Sequence, residues 1–220
     1  MCPPGTTWDA TFHGGTCVLT PLEDVSGQSP CQVALNPLIV EWPGLSKTEL
    51  ETASQQGIVI VSYVGCILKV LTGCQAPGTY ELKKSASNHD FFDIEDEAEL
   101  YARLPLGVAS LKGELAQGRK VSLEYVSVGQ RVAVKPPVTL VGTCAGATHY
   151  VRSVTVGAYK LETRAKGQLT AGADVGGAVG GVKREQEVRL RGQGDVSKCK
   201  SGKGSADDCG ALLQLGLTPL

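Results

Sequence analysis

Tyr159-Lys160-Leu161-Glu162-Thr163-Arg164-Ala165-Lys166-Gly167-Gln168-Leu169-Thr170-Ala171-Gly172-Ala173-Asp174-Val175 alternates without a break over seventeen positions. Odd positions hold nine apolar or small residues; even positions hold eight that are, Gly172 apart, polar or charged. A period of two puts one set on each face of a β-strand, which a helix cannot do. A Gly-rich tip follows at 176–181, and a return arm over 182–191 completes a hairpin at 158–191. Transmembrane strands need about 9–11 residues, apolar outward and polar inward. On that pattern Leu161, Ala165, Leu169, Ala171, Ala173 and Val175 are expected to face lipid. Lys160, Glu162, Arg164, Lys166 and Asp174 are expected to face a lumen, joined from the return arm by Lys183, Glu185, Glu187, Arg189 and Arg191. One feature opposes this: 183–187 is a run of five polar residues, so in either register Lys183 or Arg184 turns to lipid. A lipid-facing Arg near mid-bilayer costs about 2–4 kcal/mol. A soluble ribbon, charged on one face and packed on the other, fits the same alternation.

A second stretch has the same character. Ala109, Leu111, Gly113 and Leu115 alternate with Ser110, Lys112 and Glu114; Val121, Leu123 and Tyr125 alternate with Lys120, Ser122 and Glu124. With a turn near Gln117-Gly118 this predicts a hairpin at 108–125. Val108, Leu111 and Leu115 also share a helical face, so 106–116 admits a helix instead. Upstream, 38–42 reads as a short strand stopped by Pro43-Gly44, and Ser46-x-x-Glu49 as a capping box for a helix that ends near Gln56 before Gly57. The segments 58–63 and 65–71 are apolar strands. A second helix is expected over 93–103, with Asp93, Glu95, Asp96, Glu97 and Glu99 crowding its first turns and Pro105 ending it. Those acids read as a solvated face, since the calcium-loop pattern with its central glycine is missing.

Composition narrows the function classes. The chain has 21 Lys+Arg against 22 Asp+Glu, a formal charge of −1, which lacks the basic footprint of a nucleic-acid binder. A hydrophobic fraction of 42% against 20% charged supports a packed core. No run reaches the ~18–20 apolar residues of a membrane helix, so any crossing would be by strands.

Eight cysteines stand at 2, 17, 31, 66, 74, 144, 199 and 209. None forms Cys-x-x-Cys, and His13, His89 and His149 are not spaced as zinc ligands with them, so no metal site is expected. A disulfide framework fits better and implies an oxidising compartment. Short loops favour Cys2–Cys17, Cys66–Cys74 and Cys199–Cys209, leaving Cys31–Cys144. Met1 runs straight into Cys2-Pro3-Pro4-Gly5 without a basic and apolar leader, which suggests a mature form with an added Met. Cys2 would then be a lipidation candidate, at the expense of its bond to Cys17.

Gly142-Thr143-Cys144-Ala145-Gly146 has the shape of a nucleophile elbow, but it leads into a strand pattern rather than a helix, and Cys144 is needed for disulfide parity. No phosphate loop or dinucleotide fingerprint occurs. No catalytic residue and no cofactor is expected, and the protein is read as a non-enzyme.

Cys2-Pro3-Pro4-Gly5-Thr6-Thr7-Trp8-Asp9, closed by Cys17-Val18, is similar to a Cys-Pro-x-Gly-Thr-x-Trp-Asp unit of extracytoplasmic myxobacterial proteins. Over most of its length the chain resembles one such group. The resemblance is carried by Gly65-Cys66 with Cys74, by Glu99-Leu100-Tyr101-Ala102 with Leu104-Pro105-Leu106-Gly107, and by Cys144-Ala145-Gly146-Ala147-Thr148-His149. Thr155-Val156-Gly157-Ala158, the Gly/Ala-rich tip and Cys209-Gly210-Ala211-Leu212-Leu213 carry the rest. It implies an extracytoplasmic compartment and brings no activity with it. The organisation also resembles oligomeric curli-exporter-type lipoprotein channels, in architecture rather than motif.

Together these features predict an α+β fold. An irregular, disulfide-pinned segment at 1–36 leads into a body at 37–220, with two helices on a mixed or antiparallel sheet and hairpins projecting at 108–125 and 158–191. Four such strands cannot close a barrel alone. The leading expectation is therefore a subunit of a ring-shaped homo-oligomer forming a β-barrel pore or channel in membrane lipid, with no nucleic-acid partner. The alternative is a periplasmic or surface binding and scaffold protein with soluble hairpin arms. Outer membrane, periplasm and secretion all remain open as locations.

Overall fold

The computed structural model describes residues 6–9, 16–19, 34–136, 139–165 and 189–220. The fold is α+β, as expected, with four helices in place of the two expected and, besides a small two-stranded ladder, an antiparallel sheet of eight strands among the described residues. The ladder joins β1 (Thr6–Asp9) to β2 (Thr16–Leu19), so the lead-in is not wholly irregular. The expected Cys2–Cys17 bridge, Cys31 and the lipidation of Cys2 lie outside the described residues.

The chain then bridges Leu38 to Gln214 and turns at once, because the Trp42 N–H bonds back to the Ile39 carbonyl. The strand expected over 38–42 is thus a single bridge. Helix α1 (Gly44–Gln56) starts three residues earlier than the capping-box reading, with Pro43 rather than Ser46 as its N-cap. Pro43 is extended (φ −52°, ψ 139°) and has no side-chain acceptor, so Ser46 lies inside the first turn and no side-chain hydrogen bond caps the helix. Strands β3 (Ile58–Val64) and β4 (Ile67–Ala76) form a hairpin in which β3 is largely buried while β4 turns Ile67, Lys69, Thr72 and Gly73 to solvent.

Strand β5 (Tyr80–Ile94) runs through Asp93, which corrects the start of the second helix. The Asp93 carboxylate accepts from Ser122 Oγ and Lys120 Nζ on the next strand, and Ile94 is fully buried opposite Val121. Helix α2 (Glu97–Arg103) begins only after Asp96, whose Oδ1 accepts the Glu99 N–H at 2.9 Å.

The hairpin expected at 108–125 is not present. Residues Val108–Ala116 form helix α3, and only Arg119–Ala133 is strand, β6. Both periods were legible there, and the helical one wins because Val108, Leu111 and Leu115 all reach one core with Val121, Leu123 and Leu161. Gly118 (φ +73°) makes the tight reversal between them.

Strand β7 is short (Val141–Gly142), and β8 (His149–Ala165) is the hub of the sheet. Strands β6 and β10 (Ala211–Pro219) flank Ser153–Gly157 from opposite edges, and β3 meets His149 and Tyr150. Beyond them β9 (Arg189–Gln193) pairs with Tyr159–Thr163, and helix α4 (Val196–Lys200) follows. The outer side of β10 is covered by the chain at 35–39, whose backbone bonds Leu213, Leu215 and Leu217.

Two of the expected disulfides are corrected. Cys74 bonds Cys144, so neither Cys66–Cys74 nor Cys31–Cys144 forms; Cys66 is held in a different disulfide. Cys66 and Cys74 are separated by eight residues of mostly extended chain, a span of about 26 Å at 3.3 Å each, whereas bridged Cα atoms lie within about 7 Å. Cys199–Cys209 is as expected, and no described cysteine is free.

Candidate functional site

The segment that dominated the sequence begins within β8, whose last residues pair with β9 to form a stem. Along β8 the two faces separate as its alternation requires, but the apolar face meets protein. Leu161 is 1% exposed, packed with Leu123 and the helices α2 and α3, so its expected lipid contact is corrected. Lys160, Glu162 and Arg164 share the opposite face, where the Glu162 carboxylate bonds Lys160 Nζ at 2.5 Å and also Arg164. Lys160 and then Arg164 hold that carboxyl below its usual range. These three form one charge cluster, in which the Lys160 and Arg164 side chains stay about half exposed. Ala165 is exposed at the end of the strand. Lys166, Leu169, Ala171, Ala173, Asp174 and Val175 lie outside the described residues.

The return arm departs from expectation in a second way. Leu161 pairs with Arg191, Thr163 with Arg189, and Glu162 with Leu190. Odd residues therefore face with odd, so Arg189 and Arg191 stand on the Leu161 face and not with Lys160 and Glu162. There they reach the body. Arg189 Nη1 donates to Glu114 Oε1 at 2.7 Å, and Arg119 Nη1 donates to Glu114 Oε2 at 3.1 Å. Glu114 is 7% exposed, so one buried carboxylate on α3 ties β6 to β9. Arg191 Nη1 donates to Glu41 Oε2 at 2.6 Å, an oxygen that also accepts from Ser110 Oγ at 3.2 Å. Beside it, the Tyr159 hydroxyl and Lys47 Nζ both donate to the Val40 carbonyl, at 3.0 and 2.9 Å, and Lys47 lies 5.2 Å over the Tyr159 ring. Burial pushes the Lys47 ammonium below its ordinary value. The stem is thus clamped on one face by two charge-assisted contacts to the helical layer.

A second feature lies on the other side of the sheet. The loop closed by Cys199–Cys209 folds on itself: the Asp208 carboxylate accepts the Ser205 N–H (2.9 Å), Ser205 Oγ (2.8 Å) and Lys198 Nζ (2.9 Å). Those bonds, the Ser205 amide first, bring its pKa down to about 2. The loop packs through Cys199 and Cys209 on Val126 and Ala158. Between it and the β5–β6 ribbon lies a cleft of about 380 Å³, floored by Leu82, Val128 and Val156 and carrying Lys84 and Arg131. The β5–β6 register slips between Lys84 and Asn88, and the residues between them bulge over the cleft, where Ser87 Oγ donates to the Lys200 carbonyl at 3.4 Å. Gly129 is obligatory in that floor, since a Cβ there would lie 2.6 Å from the Lys83 carbonyl oxygen.

Two motifs change meaning. Cys144, spent in its disulfide, offers no thiol in the elbow-like segment, and no helix follows it. His149 lies at the start of β8, bonded to Thr148 Oγ1 at 2.8 Å, and burial lowers its pKa. Among the described residues no group of three His, Cys, Asp or Glu gathers as metal ligands. The sequence reading missed the Glu114 clamp and the cleft. Only the Cys199–Cys209 spacing marked the cleft's position, because the bulge opposite it carries no sequence signal.

Comparison of the chain with family models, curated proteins and solved structures finds no match. The disulfides define the class: a disulfide-bonded α+β protein suited to an oxidising, extracytoplasmic compartment.

Proposed function

We propose that the protein is an extracytoplasmic binding and scaffold module that carries residues 166–188 as an interaction arm, used to join copies of the chain. The observation that carries this is the clamped stem. Burying Glu114 under two arginines is costly unless the geometry is fixed, and here it holds Arg189, the first described residue after 166–188, against the body. The outer edge of β9 pairs with no strand among the described residues, which suits strand addition by a second copy. The resemblance to myxobacterial extracytoplasmic proteins agrees with the compartment. The test replaces 166–188 with Asn-Gly and compares sedimentation of both forms in buffer. The reading expects oligomers for the full chain and monomers, with an unchanged melting temperature, for the shortened one. A full chain that stays monomeric would refute it.

A second reading keeps the same stem and is favoured by the unbroken alternation of 165–175 beyond it. In it the arms of a homo-oligomeric ring enter an outer membrane as a shared barrel and form a pore. Its mark is ring assembly in detergent alone, with dye release from lipid vesicles that the shortened form does not cause.

A further inference from the structure

We propose that the cleft between the β5–β6 ribbon and the Cys199–Cys209 loop binds a small amphiphilic anion: an organic acid with one carboxylate-type headgroup and an apolar body. This does not depend on the arm. At about 380 Å³ the cleft sits at the small end of the roughly 300–1,000 Å³ range of ligand pockets. Its floor is apolar, built from Leu82, Val128, Val156 and the Cys199–Cys209 disulfide. Its charged lining residues, Lys84 and Arg131, are both cationic, and no carboxylate side chain lines it. Of the acids that adjoin its lining in sequence, Asp208 is committed to Ser205 and Lys198, and neither Glu81 nor Asp207 lines the cleft.

Arg131 is the residue that points to a ligand. Arg119 and Arg189 share Glu114, Arg164 holds Glu162, and Arg191 holds Glu41. Arg131 is half-buried and makes no ion pair with any described residue. A guanidinium partly removed from water without a counter-charge is unfavourable, and an incoming carboxylate would relieve that cost through a bidentate bond. The register sets its position. Leu82 pairs with Arg131 and Arg131 with Val154, while Lys84 pairs with Gly129 and Gly129 with Val156. Both cations therefore stand on one face beside the apolar floor, with Gly129 between them, where the Lys83 carbonyl takes the place of a side chain. An inorganic anion would leave that floor unused, and a neutral lipid would leave the two cations unused.

The test is titration of the oxidised full chain with octanoate and with 1-octanol, followed by amide chemical shifts. Saturable octanoate shifts are expected at 82–87, 128–131 and 202–206, with octanol at least about tenfold weaker. Arg131→Gln should weaken octanoate by about tenfold or more, as loss of a charged hydrogen bond does. Equal affinity for octanoate and octanol on the unaltered protein would overturn the proposal, whatever the variant does. So would an absence of saturable shifts at these amides with millimolar octanoate.

Discussion

Glu114→Gln tests the clamp at the base of the arm. The exchange keeps size and helix propensity nearly constant on α3, removes the charge and turns one of the two accepting oxygens into an N–H donor. Two cations lose their counter-ion: Arg119, with a side chain 17% exposed, and Arg189, 47% exposed. Breaking a fully buried pair costs about 3–5 kcal/mol, but Arg189 can turn to water and its share is screened. The balance is about 2 kcal/mol, nearly all from Arg119. For a chain of this size that corresponds to about 4–8 °C in melting temperature. Urea denaturation of the oxidised protein should show the midpoint falling with an unchanged slope. A double-mutant cycle should give Glu114 a larger coupling to Arg119 than to Arg189. Hydrogen exchange supplies the local readout: the β9 amides paired with Tyr159–Thr163 should exchange faster, while those of β10 should not. A loss below about 0.5 kcal/mol with unchanged β9 exchange would show that Glu114 does not anchor the arm.

Leu161→Asp should unfold the body, because it puts a carboxylate into the α2–α3 core, and circular dichroism would reveal this; a folded variant defective only in membrane association would contradict the packing. Cys144→Ser opens a loop of 70 residues and Cys199→Ser one of 10; chain entropy predicts losses of about 4 and about 3 kcal/mol, readable as melting temperatures, and a larger loss from Cys199→Ser would count against that ordering. His149 has a folded pKa depressed from 6.5 by burial. Between 6.5 and the folded value the unfolded chain binds a proton that the folded one does not, so stability is full above 6.5 and falls as pH drops through this window. Denaturation midpoints measured across that window should slope for the natural protein and flatten for His149→Gln; parallel slopes would deny the assignment.

That 159–165 is a strand with unlike faces follows from its residues alone, because a period of two admits no other regular element. So do α1, the β3–β4 pair and the short Cys199–Cys209 loop, for similarly local reasons. What covers an apolar face is not a local property. Leu161 reads the same whether lipid or α3 lies against it, and only the tertiary packing supplied the helix. At 108–116 two periods coexisted, and the choice fell to helix once Leu111 and Leu115 had a core shared with Val121 and Leu123. The pairing of Cys74 with Cys144 crosses 70 residues and depends on β7 lying beside β4. The placement of Arg189 and Arg191 rested on one residue of register. Had Arg191 faced Lys160 or Glu162 instead of Leu161, both arginines would have joined the charged face; the observed pairing turns them to Glu114 and Glu41. Which parity of a return strand meets which parity of the outgoing one is set by the connection between them and by what each face finds to pack on, and neither is written in the alternation itself.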